Sequence, residues 1–193
     1  MNHKRDVDIR RTAGCAAVLS IVAPWFNSVP AGAPVETAAK VVFLLRHAEK
    51  ISEVERDPDL SLQGVERAER LARLLAEAGV THLFSSEFRR TQKTLEPLAR
   101  STSKAITIIS ARGLDQQVQA LRDLPAGSIA VVCGHSNTLP RLVRELGGNP
   151  SRVEASADGE SLPQDEYQRL YMMVLENPPE ARPITFLELC YGQ

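Results

Sequence analysis

Neither sign of charge is in excess in this chain: 23 basic and 24 acidic residues leave a formal net charge of -1. That excludes the broad positive field of a nucleic-acid binder, and no acidic run is present to form a tail. Any anionic ligand must therefore be met by a local cluster of cations. Cysteine is scarce, with three in 193 residues, and none stands in a metal-ligand spacing. The histidines, aspartates and glutamates form no metal constellation either, so no metal is expected. No internal repeat and no low-complexity tract is present, and no apolar run suits a comfortable membrane span. What is there is ordinary: 43% hydrophobic and 24% charged residues, the composition of a globular domain with a sizeable core.

The first 33 residues differ from the rest. Lys4, Arg5, Arg10 and Arg11 precede an uncharged stretch from Thr12 to Phe26, followed by the small residues Val29-Pro30-Ala31-Gly32-Ala33. This is the order of a secretory signal peptide, with cleavage expected after Ala33. The expectation is a signal segment over 1–33 and one domain over 34–193. The product would be periplasmic or secreted, with no stable membrane insertion after processing. The alternative is a cytoplasmic protein with an N-terminal extension. Cys133 and Cys190 remain after cleavage. Both lie in apolar runs, where a buried free thiol is expected, and a disulfide between them stays open.

Downstream, strands and helices alternate. Lys40 to Leu45 reads as a buried strand. Ser61 opens a helix whose apolar face is Val65, Ala68, Leu71, Ala72, Leu75 and Ala78, stopped by Gly79. Thr81 to Phe84 is a short strand, and Ser85 or Ser86 caps a helix to about Arg100. Ala105 to Ile109 is a strand and Gln116 to Leu124 a helix. Ser128 to Cys133 is a strand, and Thr138 to Leu146 a helix ended by Gly147-Gly148. Residues 151–168 are polar and irregular. Leu170 to Leu175 and Ile184 to Cys190 are two last strands, separated by a Pro178-Pro179 turn. This alternation predicts an α/β fold: a three-layer α/β/α sandwich with a mostly parallel sheet.

Three strands are followed at once by polar residues suited to one task. Val41 to Leu45 leads to Arg46-His47. Thr81 to Phe84 leads to Ser85, Ser86, Arg89 and Arg90. Ile129 to Cys133 leads to Gly134-His135-Ser136-Asn137. Parallel neighbours would bring all three exits to one sheet edge, where α/β folds bind ligands. Arginine forks match phosphate oxygens, and a neutral imidazole can carry a phosphoryl group.

These segments resemble the histidine phosphatase superfamily, also called phosphoglycerate mutase-like. Arg46-His47-Ala48 resembles its first motif. Ser86, Arg90 and Thr94 match the spacing of its second, which favours Arg90 over Arg89. Gly134-His135 matches its third, and Leu60-Ser61-x-x-Gly64 a further feature. The resemblance implies a phosphoglycerate mutase-like fold and a phosphatase acting through phosphohistidine on His47. Arg46, Arg90 and His135 would hold the phosphoryl oxygens. It implies no cofactor and no metal, and a small phosphorylated substrate or a phosphoprotein as partner. For the proton donor, Asp115 in the loop at Arg112-Gly113-Leu114-Asp115 is a candidate. Glu49 and Asp57 read better as solvated charges, and His82 as structural. The alternatives are a phosphoglycerate mutase-type phosphotransferase and a non-catalytic phospholigand-binding domain on the same fold.

Overall fold

The computed structural model describes residues 39–157, 159–176 and 185–192. The signal segment expected over 1–33 and the Pro178-Pro179 turn lie outside the described residues. The chain runs β1 (Lys40–Arg46), α1 (Leu62–Leu75), β2 (His82–Ser85), α2 (Arg89–Thr102), β3 (Ile106–Ile108), α3 (Leu114–Arg122), β4 (Ile129–Gly134) and α4 (Leu139–Glu145). A small hairpin follows, β5 (Glu154–Ser156) and β6 (Gly159–Ser161), then β7 (Arg169–Leu175) and β8 (Thr185–Cys190).

Six strands form one sheet in the order β3-β2-β4-β1-β7-β8. The first four are mutually parallel, while β7 and β8 run antiparallel. The segment 176–184 between β7 and β8 is too short for the crossover a parallel pair needs. Helices cover both faces. Val42 and Leu44 of β1 pack with Leu121 of α3 and Leu142 of α4. Leu45, pointing the other way, packs with Leu71 of α1 and Leu98 of α2. Leu44 and Leu45 are fully buried, and burial of each is worth about 1.5–3 kcal/mol. A strand buried on both faces has to be apolar throughout, which is why this run was readable.

Ser61 caps α1 as expected, its hydroxyl accepting from the Gly64 N–H at 3.1 Å. The helix face differs in one place: Val65 is 48% exposed, and Gly64 and Arg67 are buried instead. A Cβ on Gly64 would lie 2.1 Å from the Glu49 carbonyl oxygen. The glycine thus lets α1 press against the loop that follows β1. Arg67 fills the neighbouring space by pairing with the Glu49 carboxylate, Nη2 to Oε1 at 2.6 Å, so Glu49 is a half-buried structural partner and not a solvated charge. Neither Ser85 nor Ser86 caps α2; Phe88 holds that position without a side-chain bond. The β5–β6 hairpin within 151–168 was not anticipated. Cys133 is buried, but Cys190 is exposed on the edge strand β8, and both are free thiols. Leu187 and Leu189 of the same edge strand are exposed as well.

Candidate active site

Strand register brings the exits together. Arg46, the last residue of β1, is paired with Gly134, the last of β4. Ser85 at the end of β2 is paired with Cys133. The His47 N–H donates to the Gly134 carbonyl at 3.0 Å, so the ladder extends one step into the site. His47 and His135 end with ring centroids 5.5 Å apart. A cleft of about 980 Å³ opens over them, lined by Arg46, His47, Arg90 and His135 among others. All four residues expected at the site are therefore in one place.

His47 is 4% exposed. Its Nδ1 lies 2.8 Å from the Ala48 carbonyl. A carbonyl can only accept, so Nδ1 carries the proton and Nε2 keeps its lone pair. Burial lowers its pKa to about 3, with a further push from the Arg46 and Arg90 guanidiniums against the opposing Ala48 hydrogen bond. The imidazole is therefore neutral at pH 7. The loop bearing it is pinned to α2: the Ala48 N–H donates to Thr94 Oγ1 at 2.9 Å, and that hydroxyl donates to the Arg90 carbonyl at 2.7 Å. Thr94 thus ties the loop carrying His47 to the turn carrying Arg90.

Arg46 is held from the far side. Its Nη1 donates to the carbonyls of Pro163, Gln164 and Glu166 at 3.0, 2.9 and 3.2 Å. Its guanidinium carbon sits 4.1 Å from the Tyr167 ring centroid, a cation–π contact. Arg90 lies over Phe88 at 4.4 Å and pairs with Asp57 at 3.6 Å. Burial lowers the pKa of both guanidiniums, yet arginine remains charged at any working pH. Among the described residues, Nε of each is buried without a hydrogen-bond partner.

His135 is oriented by a hydroxyl chain. Arg90 Nη2 donates to its Nδ1 at 3.3 Å, which leaves the proton on Nε2. That N–H donates to Ser86 Oγ at 2.9 Å. Ser86 and Thr91 hydroxyls are 2.8 Å apart, and Thr91 donates to the Phe88 carbonyl at 2.7 Å. Burial, and then Arg90, lower the His135 pKa to about 4. The resting site therefore holds two neutral imidazoles between two cations.

A family model described as the histidine phosphatase superfamily (branch 1) matches residues 42–117. Over those residues the chain is similar to that superfamily. The match contains Arg46, His47 and Arg90, and the third motif lies beyond it at His135. The solved structure of the protein histidine phosphatase SixA complexed with tungstate is similar at a TM-score of 0.60 and 17% identity, covering 78% of this chain and 96% of that one. Bacillus stearothermophilus YhfR is similar at 0.57 and 16%, covering 75% and 98%. At such identities the likeness is one of fold, and that fold is phosphoglycerate mutase-like. "Probable phosphoglycerate mutase GpmB" of Proteus mirabilis (strain HI4320) is 34% identical over 90 residues, 43% of this chain. The match spans 42% of that relative's length.

The proton-donor candidates sort differently from the sequence expectation. Asp115 is exposed in the first turn of α3 and does not line the cleft, whereas Leu114 and Gln117 do. Positions three apart share a helix face and the two between them turn away. Asp57 is engaged, accepting from the Arg89 N–H at 2.9 Å as well as pairing with Arg90. The carboxylate that lines the cleft is Glu87. Desolvation raises its pKa, but hydrogen bonds from the Ala111 N–H and the Ser110 hydroxyl, with His135 nearby, bring it below the ordinary value. Its place directly after Ser86, at a strand exit, was the available signal. The acceptors of Arg46 are backbone carbonyls and left no mark in the sequence. His82 is structural as expected, with Nδ1 2.8 Å from Thr81 Oγ1 and its ring stacked on Phe84.

Proposed function

We propose that this chain is a phosphatase that hydrolyses phosphomonoesters or phosphohistidine through a phosphohistidine on His47. The observation that carries the reading is the tautomer of His47. Its Nδ1–H is committed to Ala48, so the lone pair on Nε2 is available in a cleft shared with Arg46, Arg90 and His135. Nε2 attacks phosphorus while the bond to the leaving oxygen or nitrogen breaks. The two guanidiniums meet the charge on the transferring oxygens in a partly dry site, where such contacts are strongest. Water then attacks phosphorus, the P–N bond breaks, and phosphate leaves with His47 restored. Glu87 is held ionised, which suits it to take a proton from that water better than to give one to a leaving group. Substrates whose leaving group departs readily are favoured as a result.

His47→Ala should abolish turnover of para-nitrophenyl phosphate, and brief exposure of the native protein to a labelled phosphodonor should leave an acid-labile, alkali-stable phosphoryl group. Unchanged turnover in the purified variant would refute the mechanism. A pure phospholigand binder would show no label. A mutase-type phosphotransferase would pass the label to a second substrate faster than to water.

A further inference from the structure

Arg46 commits one of its nitrogens to backbone. Its Nη1 donates to the carbonyls of Pro163, Gln164 and Glu166 at 3.0, 2.9 and 3.2 Å, and the Tyr167 ring lies against the guanidinium. All four residues belong to one turn, closed by the Glu166 N–H donating to the Pro163 carbonyl at 3.1 Å. Three carbonyl dipoles aimed at one atom repel each other, so something besides Arg46 has to hold the turn in this shape. The Glu166 side chain is buried. Its carboxylate accepts from Arg169 Nε at 2.6 Å and from Arg169 Nη2 at 2.7 Å. Arg169 opens β7 and is 2% exposed. Its remaining nitrogen, Nη1, donates to the Ser151 carbonyl and to the Tyr171 hydroxyl, with the Glu188 carboxylate of β8 3.5 Å away. Every nitrogen of this buried guanidinium is engaged, and no step of the phosphoryl transfer uses it.

A buried ion pair is a weak device for stability, because desolvating two charges offsets most of their attraction. What a side-on fork does fix is direction. Glu166 serves twice here: its carboxylate is the partner of Arg169, and its backbone carbonyl is an acceptor for Arg46. A guanidinium is planar and rigid, so anchoring Nη1 sets where the other nitrogens of Arg46 point. Its Nε is buried without a hydrogen-bond partner, in a side chain that lines the cleft. We infer that Glu166 and Arg169 are positioning residues, whose ion pair holds the 163–167 turn in the shape that aims Arg46 at the transferring phosphoryl group. They act from β7, the antiparallel neighbour of β1, whereas the three strand exits that carry the site belong to the parallel strands β1, β2 and β4. Glu166→Gln keeps the volume but sets an NH2 group against one of the two guanidinium donors, and the turn has to give way. A misplacement of about 1 Å at such a group can cost on the order of a hundredfold in rate.

This inference rests on the phosphatase reading for the role of Arg46, and the test separates the two. Turnover of para-nitrophenyl phosphate and the calorimetric dissociation constant of inorganic phosphate are measured for the native chain, E166Q, R46A and E166Q/R46A. E166Q should lower kcat/KM by about tenfold or more, mainly through kcat. In the R46A background the same substitution should cost less than about twofold, because the group it acts through is gone. E188Q removes the other carboxylate beside Arg169 and should also cost less than about twofold. An equal cost of E166Q in both backgrounds marks a general structural role and overturns the inference. So does E166Q turnover within about twofold of native, or an E188Q loss as large as that of E166Q. Should thermal unfolding show that E166Q folds poorly, R169K, which keeps the charge and gives up the fork, is read in the same two backgrounds against the same limits. A native chain that binds phosphate without turning over the reporter overturns the phosphatase reading alone. The phosphate dissociation constants then decide the inference: weakening by E166Q only where Arg46 is present supports it, and equal weakening or none overturns it. A native chain that neither binds phosphate nor turns over the reporter overturns both.

Discussion

Replacing His47 by Asn should make the protein less sensitive to acid. An unfolded histidine takes up a proton near its ordinary pKa of about 6.5, whereas His47 in the native state does so only at about 3. Between those values the unfolded state binds the extra proton, so stability rises with pH across the window and is lost as pH falls through it. From pH 7 to pH 5 the unfolded imidazole becomes almost fully charged while the native one stays neutral. The roughly 1.5 pH units below 6.5, at about 1.36 kcal/mol each, give a loss of about 2 kcal/mol from this residue alone. His135, with its pKa lowered to about 4, adds a similar slope, but it is present in both proteins and cancels in the comparison. Asn keeps an amide donor near the place of Nδ1, so the hydrogen bond to Ala48 can persist without a titrating group. Urea unfolding of both proteins at pH 7 and pH 5 measures the difference. The native chain should lose about 2 kcal/mol more than the variant over that interval. Equal losses would show that His47 is not held neutral by the fold, and would remove the basis for its nucleophilicity.

Two further outcomes follow from the geometry. Arg90→Ala should lower kcat/KM by roughly a hundredfold or more, the usual cost of removing a donor to transition-state charge. Arg89→Ala should change it by less than about fivefold, because the Arg89 side chain makes an exposed ion pair with Asp59 and its backbone N–H bond to Asp57 survives the substitution; the reverse order would place the second motif one residue off. Gly64→Ala ought to destabilise the protein by about 1–3 kcal/mol. Helix propensity favours Ala by about 1 kcal/mol, but the new methyl would meet the Glu49 carbonyl at 2.1 Å, and thermal unfolding shows which effect prevails.

What could be read from the sequence was what local chemistry dictates. The β1 run is apolar because both its faces are covered, and a cation directly after it can only mark an exit. Arg90 and Thr94 are four apart and share a helix face, so their joint placement was visible before the fold was known. Ser61 and Gly64 form a cap whose logic is complete within four residues. Several of the misreadings concern partners distant in sequence. Glu49 looked solvated because its partner Arg67 sits on another element. Val65 looked buried until Gly64 took the close approach for itself. Ser86 looked like a cap, but its hydroxyl is used by His135, 49 residues away. Asp115 failed because a loop reading ignored the turn of α3 that points it outward. Cys190 failed because an apolar strand at a sheet edge is covered on fewer sides than one at its centre.

The one-to-one pairing of Arg46 with Gly134 makes the length of β1 a ruler for the catalytic group. Each residue advances a strand by about 3.3 Å and reverses the direction of every side chain beyond it. One residue inserted into β1 would exchange its two faces, sending Leu45 toward α3 and α4. Two residues would restore the faces but carry His47 almost 7 Å past the carbonyl that holds its backbone. No whole number of added residues keeps both the packing and the chemistry. Redesign of what this cleft accepts therefore has to be made in the loops that rim it, where chain length can change while the strand beneath stays fixed.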